Sequence, residues 1–136
     1  MKRKSPIKKR IVKVRFSYDV QMINIIKVLL SVYDKRINPK GIRGYVVASN
    51  RGHAYTSQSE FTVPEWAYNK SIEYFTYYIA HELSHIIAYR KFSAHGHDKE
   101  FYDVFKRICP MDLQYHEISY LKKKAHDNGI WEKIVP

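Results

Sequence analysis

Cysteine is almost missing from this chain. Cys109 stands alone in 136 residues, which excludes an internal disulfide and any zinc site built on a cysteine ribbon. A metal held here must be held by histidine and carboxylate. Cys109 itself, followed by Pro110, reads as a small buried residue. Long apolar runs are also missing, so no membrane span is expected. The basic N-terminus has no apolar stretch behind it and does not read as a secretory signal. The expectation is a cytoplasmic protein with no membrane partner. Glycine and proline number only five each, and no internal repeat is present.

The chain is 45% hydrophobic and 15% aromatic, with twelve tyrosines. At this length that suits one globular domain with a core of its own. We place the domain over residues 16–136, behind a basic arm over residues 1–15, and expect a monomer. Acidic residues are absent from the arm, which carries Lys2, Arg3, Lys4, Lys8, Lys9, Arg10, Lys13 and Arg15. The rest of the chain holds 16 basic and 13 acidic residues, so the net charge of +11 sits mostly on the arm. Such an arm suits phosphate contacts, which give nucleic-acid affinity without sequence preference. Lys2, Arg3, Lys4, Lys8, Lys9 and Arg10 are the candidate contacts. Lys122-Lys123-Lys124 either extends that surface or is an exposed helix face. Trp66, Trp131 and the tyrosines could stack on bases, although core packing is the commoner use.

The chemistry is concentrated in His81-Glu82-Leu83-Ser84-His85, an H-E-x-x-H motif. On a helix, positions i and i+4 point the same way, so His81 and His85 can hold one metal ion. Glu82 then stands beside the metal, placed to take a proton from its water. Three fixed positions recur by chance often enough that the setting must decide. Residues 71–92 contain no Gly or Pro, and Ile72, Phe75, Ile79, Ile86 and Ile87 recur at helical spacing. Asn69 or Ser71 can cap the start, and Arg90 and Lys91 suit the C-terminal end of the dipole.

Around this helix the pattern predicts a short strand over 11–16, or the end of the arm there. A helix follows over 19–33, with Val20, Ile23, Ile26 or Lys27, and Leu30 on one side and Ser17 or Asp19 as cap. After a turn at Asn38-Pro39-Lys40-Gly41 come strands over 42–48, 53–57 and 60–63. Beyond the motif helix, Asp98 can cap a helix over 99–108 that buries Phe101, Val104, Phe105 and Ile108. A last helix over 116–127 stops at Asn128-Gly129.

A catalytic zinc usually takes three protein ligands and keeps one position open. His95, His97, Asp98 and Glu100 all lie within reach as the third, and spacing does not choose among them. The motif followed by Gly96-His97-Asp98-Lys99-Glu100-Phe101 resembles the SprT-like metallopeptidase family, which includes Spartan. In that family a His after the H-E-x-x-H helix precedes a Gly-x-x-aromatic run. His97 matches that His and Phe101 the aromatic, while Asp98 departs from the Gly. The resemblance covers roughly residues 19–110. It implies His97 as third ligand and Zn2+ as cofactor. The fold it implies is an α+β, zincin-like metalloprotease domain, with a small three-stranded sheet, partly antiparallel, packed on the H-E-x-x-H helix. It further implies a zinc endopeptidase acting on DNA-associated or DNA-crosslinked proteins, with single-stranded or damaged DNA as partner.

Tyr115, His116, Tyr120, His53 and Tyr55 are candidate donors to a developing oxyanion, and strand 53–57 is a candidate for pairing with an extended substrate. Two other functions compete: a nucleic-acid-binding protein with a non-catalytic metal site, and a metallopeptidase with a narrow, non-DNA protein substrate.

Overall fold

The computed structural model describes residues 16–34, 37, 41–94 and 96–128. The arm, most of the expected strand over 11–16, the turn residues Asn38 to Lys40, His95, Gly129 and Trp131 lie outside them. Among the described residues the fold is α+β, with five α-helices and one three-stranded sheet.

Helix α1 spans Phe16–Tyr33. It begins earlier than its sequence suggests, so Phe16 belongs to a helix rather than a strand, and Ser17 and Asp19 lie inside the helix instead of capping it. The buried side is Met22, Ile26, Leu29, Leu30 and Tyr33, while Val20 and Ile23 are exposed. This run is apolar on more than one side, so helical spacing alone offers two possible faces, and packing against the sheet and helices selects one.

The sheet is β1 (Arg43–Val47), β2 (His53–Tyr55) and β3 (Glu60–Pro64) in the order β1-β3-β2. β1 runs parallel to β3, with Arg43 opposite Glu60 and Val47 opposite Pro64. β2 runs antiparallel to β3, with His53 opposite Thr62. Val46, Val47, Phe61 and Val63 are buried. β2 is shorter than expected because Thr56–Gln58 turn into a 3-10 helix. That leaves β2 as a short strand at one edge of the sheet.

Helix α2 (Glu65–Lys70) has no counterpart in the sequence reading. Pro64 stands at its N-cap with extended backbone and no side-chain cap bond, and Glu65 in its first turn suits the helix dipole. At six residues it is too short for apolar periodicity to reveal. Ser71, with extended backbone, separates it from α3 (Ile72–Phe92) and caps α3 by accepting from the Tyr74 N–H at 3.0 Å. Phe75, Ile79, Leu83, Ile86 and Ile87 are buried along α3, while Ile72 is exposed. Ser93, in the left-handed region at φ 53°, ends it.

Helix α4 (Lys99–Ile108) buries Phe101, Val104, Phe105 and Ile108, as the pattern predicts. Helix α5 (Tyr115–Asn128) closes the described chain. Cys109 lies buried between α4 and α5. No helix among the described residues is long and apolar enough to cross a membrane.

Candidate metal centre

Near its middle α3 turns its polar stripe toward an open cleft of about 880 Å³. His81 and His85 stand one helical turn apart on that stripe, with ring centroids 5.2 Å apart. Opposite them, Gly96 in the left-handed region (φ 75°) turns the chain back toward α3, and His97 follows. Asp98 then caps α4 by accepting from the Phe101 N–H at 3.2 Å. Phe101 is fully buried and packs its ring against all three imidazoles, at 5.0 Å from His81, 4.3 Å from His85 and 4.9 Å from His97. One aromatic residue on α4 thus braces ligand candidates from two segments.

The three Nε2 atoms converge. His97 Nε2 is 3.0 Å from His85 Nε2 and 3.1 Å from His81 Nε2. His81, His85 and His97 can therefore hold one metal ion, each offering a nitrogen within 4.8 Å of the others. Nitrogens bound to a tetrahedral zinc at about 2.0–2.1 Å would stand roughly 3.3 Å apart, so the two contacts of His97 need to open by only a few tenths of an ångström. Metal binding needs neutral imidazole. Burial, then the facing His81 and His97, pushes the pKa of His85 down to about 3, so His85 offers its lone pair at neutral pH. Asp98 is occupied as a helix cap, and Glu100 begins α4 without joining the cluster.

Glu82 is buried, with Oε1 3.8 Å from His81 Nε2. Burial raises its pKa to about 7; His81 opposes that shift and Glu117 adds to it. A carboxyl group poised near neutrality beside three histidines that can hold a metal can both take up and release a proton.

No family model matches this chain, and neither does any curated protein or solved structure.

The rest of the cleft comes from three directions. Asn50 to Ala54 form the wall on the side of β2, Trp66, Tyr74 and Tyr78 form an aromatic wall, and Tyr120 and Lys123 reach in from α5. The wall on the β2 side is pinned. Gly52 N–H donates to the Tyr78 hydroxyl at 2.7 Å, and Trp66 Nε1–H donates to the Asn50 carbonyl at 2.7 Å. A Cβ on Gly52 would lie 2.1 Å from the Thr62 carbonyl oxygen, so only glycine allows this approach.

Of the five candidate oxyanion donors, His53 and Tyr120 line the cleft. Tyr115 is exposed, and Tyr55 is not part of the lining. His116 packs its ring against Tyr74 and Tyr77. Lys122 and Lys123 are both exposed, and Lys123 also lines the cleft. The arm contacts Lys2, Arg3, Lys4, Lys8, Lys9 and Arg10 lie outside the described residues.

One residue of this centre escapes a motif-based reading. Glu117 on α5 is 3% exposed, and its Oε1 accepts from His81 Nδ1–H at 2.5 Å and from the Tyr77 hydroxyl at 3.1 Å. It lies 36 positions from His81, far outside any short motif. A signal does exist: Glu117 stands four residues after Leu113 of the preceding 3-10 turn and four before Leu121 on α5, a charge at apolar spacing, and charges there are seldom buried without a partner.

Proposed function

We propose that this chain is a zinc-dependent endopeptidase of the SprT-like type on a zincin-like scaffold, acting on proteins associated with or crosslinked to DNA. The observation that carries the reading is the convergence of three imidazole nitrogens next to a buried carboxylate, in an open cleft. His81, His85 and His97 would hold zinc. Bound there, zinc would supply a Lewis acid that acidifies water and polarises a carbonyl oxygen.

The protein's own residues account for the remaining work. Glu82 takes the proton from the attacking water and returns it to the leaving amine. The carboxyl sits where its raised pKa suits both transfers, and a nearby cation would lower that pKa toward the base form needed first. Tyr120 and His53 face the reacting region as donors to the oxyanion. An extended substrate fits along the edge strand β2, against the wall that Gly52 and Tyr78 hold in place. Three histidines with no fourth protein ligand beside them among the described residues favour this reading over a purely structural metal site, which normally has four. The acid-free arm supports DNA as the recruiting partner.

The test is cleavage of a protein substrate by the purified chain, with and without single-stranded DNA, with Glu82→Gln as control. Cleavage is expected to rise with DNA and to fall by about 10²- to 10⁴-fold in Glu82→Gln, with zinc content unchanged. Cleavage indifferent to DNA would favour a narrow protein substrate. A zinc-loaded protein that cleaves nothing, with or without Glu82, would favour the nucleic-acid-binding reading.

A further inference from the structure

Glu117 is not adjacent to the metal triad in sequence, does not reach the cleft's reacting region, and is nevertheless almost fully buried. Burying a carboxylate is unfavourable unless its oxygens are answered. Here both donors, His81 Nδ1–H and the Tyr77 hydroxyl, converge on Oε1. The other oxygen, Oε2, is buried without a hydrogen-bond partner. The charge is only partly compensated, by the ring of His81 and the Tyr77 hydroxyl. A cation on the far nitrogen of that ring would add to the compensation, because it makes Nδ1–H a stronger donor and places positive charge one ring away.

The hydrogen bond also decides a chemical choice. A neutral imidazole carries its proton on one nitrogen, and in the free side chain Nε2–H is the commoner form. A carboxylate on Nδ1 reverses that preference and leaves the Nε2 lone pair free. Nε2 is the atom that His81 turns toward His97 and, with it, toward His85. Tyr77 lies one helical turn before His81 on α3, and its buried hydroxyl, whose pKa burial and Glu117 together push up, remains a proton donor that steadies the carboxylate.

We propose that Glu117 is the positioning residue of the metal centre: from α5 it fixes the tautomer and the ring plane of His81 and raises that ligand's affinity for the metal. Helix α5 is then part of the centre, since its packing sets ligand geometry on α3. This role rests on the metal reading of the three histidines and is independent of peptide hydrolysis.

The test is zinc affinity of the full chain by chelator competition, with the visible spectrum of the Co2+-loaded protein as a reporter of ligand geometry. Glu117→Ala is expected to weaken zinc binding by about 10- to 100-fold and to displace the cobalt bands. Glu117→Gln keeps an acceptor oxygen and is expected to recover most of both. Wild-type affinity and an unchanged cobalt spectrum in Glu117→Ala would overturn the role. Should Glu117→Ala not fold, wild-type protein decides it by imidazole 15N NMR in the metal-free state: His81 in the Nδ1–H form supports the role, and the Nε2–H form overturns it. Wild-type protein that takes up neither zinc nor cobalt would remove the metal reading and this role together, whereas a protein that binds zinc but cleaves nothing would leave the role standing and remove only the peptidase.

Discussion

Glu82 and the three histidines owe their positions to different causes. His81, Glu82 and His85 are neighbours because a helix makes them so, and the H-E-x-x-H spacing is legible without any structure. His97 reaches them only because Gly96 turns the chain and Phe101 anchors the start of α4. Spacing alone leaves His95, His97, Asp98 and Glu100 open, and the family resemblance implies His97. Asp98 proves to be spent on a backbone N–H. The proposed oxyanion donors are the least legible, because five polar aromatics are equal candidates in sequence and of these only His53 and Tyr120 line the cleft. Tyr120 stands with its ring 6.3 Å from that of His81. Tyr120→Phe is expected to lower kcat by about 10²-fold, the range for loss of one oxyanion donor, with little change in KM. An unchanged kcat would move the role to His53.

At the level of elements, caps and turns do most of the placing. Asp98 caps α4 and so sets where Phe101 braces the imidazoles. Asp98→Ala is expected to cost about 1 kcal/mol of stability, read as a lower unfolding midpoint, and to weaken zinc binding as well. A stability loss with wild-type zinc affinity would show that the bracing survives without the cap. Helix periodicity predicted α3, α4 and α5 with boundaries close to those observed. It failed at α2, which is too short to show a period, and at α1, where apolar residues on several faces hid which side is buried. The strands were found from their composition, but the parallel pairing of β1 with β3 was not, since it depends on β2 crossing to the far side of β3.

For the whole molecule, α3 joins the core to the cleft, and several buried acids lie around it. Burial raises the pKa of Tyr78 to about 12, partly offset by the Gly52 N–H. It raises that of Cys109 to about 12 as well, with Glu117 and Asp112 adding to the shift, and it raises that of Tyr77 further still. Each is an acid whose folded pKa exceeds its unfolded value, so the folded state holds the proton more tightly. The stability each contributes is complete below its unfolded pKa, 9.0 for Cys109 and 10.0 for the tyrosines, and is lost as pH climbs toward 12. Thermal melts from neutral to strongly alkaline pH should show a midpoint that holds to about pH 9 and then falls. Tyr78→Phe should lower the neutral midpoint, because Gly52 loses its acceptor, yet shrink the alkaline fall; an undiminished fall would assign it elsewhere. At the other end of the chain, removing residues 2–10 should weaken DNA binding and flatten its salt dependence, because fewer counterions are then released. Unchanged binding would end the arm's role.

Whatever depends on neighbours along the chain is legible without the fold: the helical pairing of His81 with His85, the carboxylate beside them, the Asp98 cap, the apolar stripe of α4 and the concentration of charge in the arm. Those rest on periodicity and local hydrogen bonding. Tertiary structure alone decided which face of α1 is buried, which polar aromatics reach the cleft, and that a carboxylate on α5 holds His81. Such contacts join segments far apart in the chain, and their energy depends on burial and geometry that no local pattern carries.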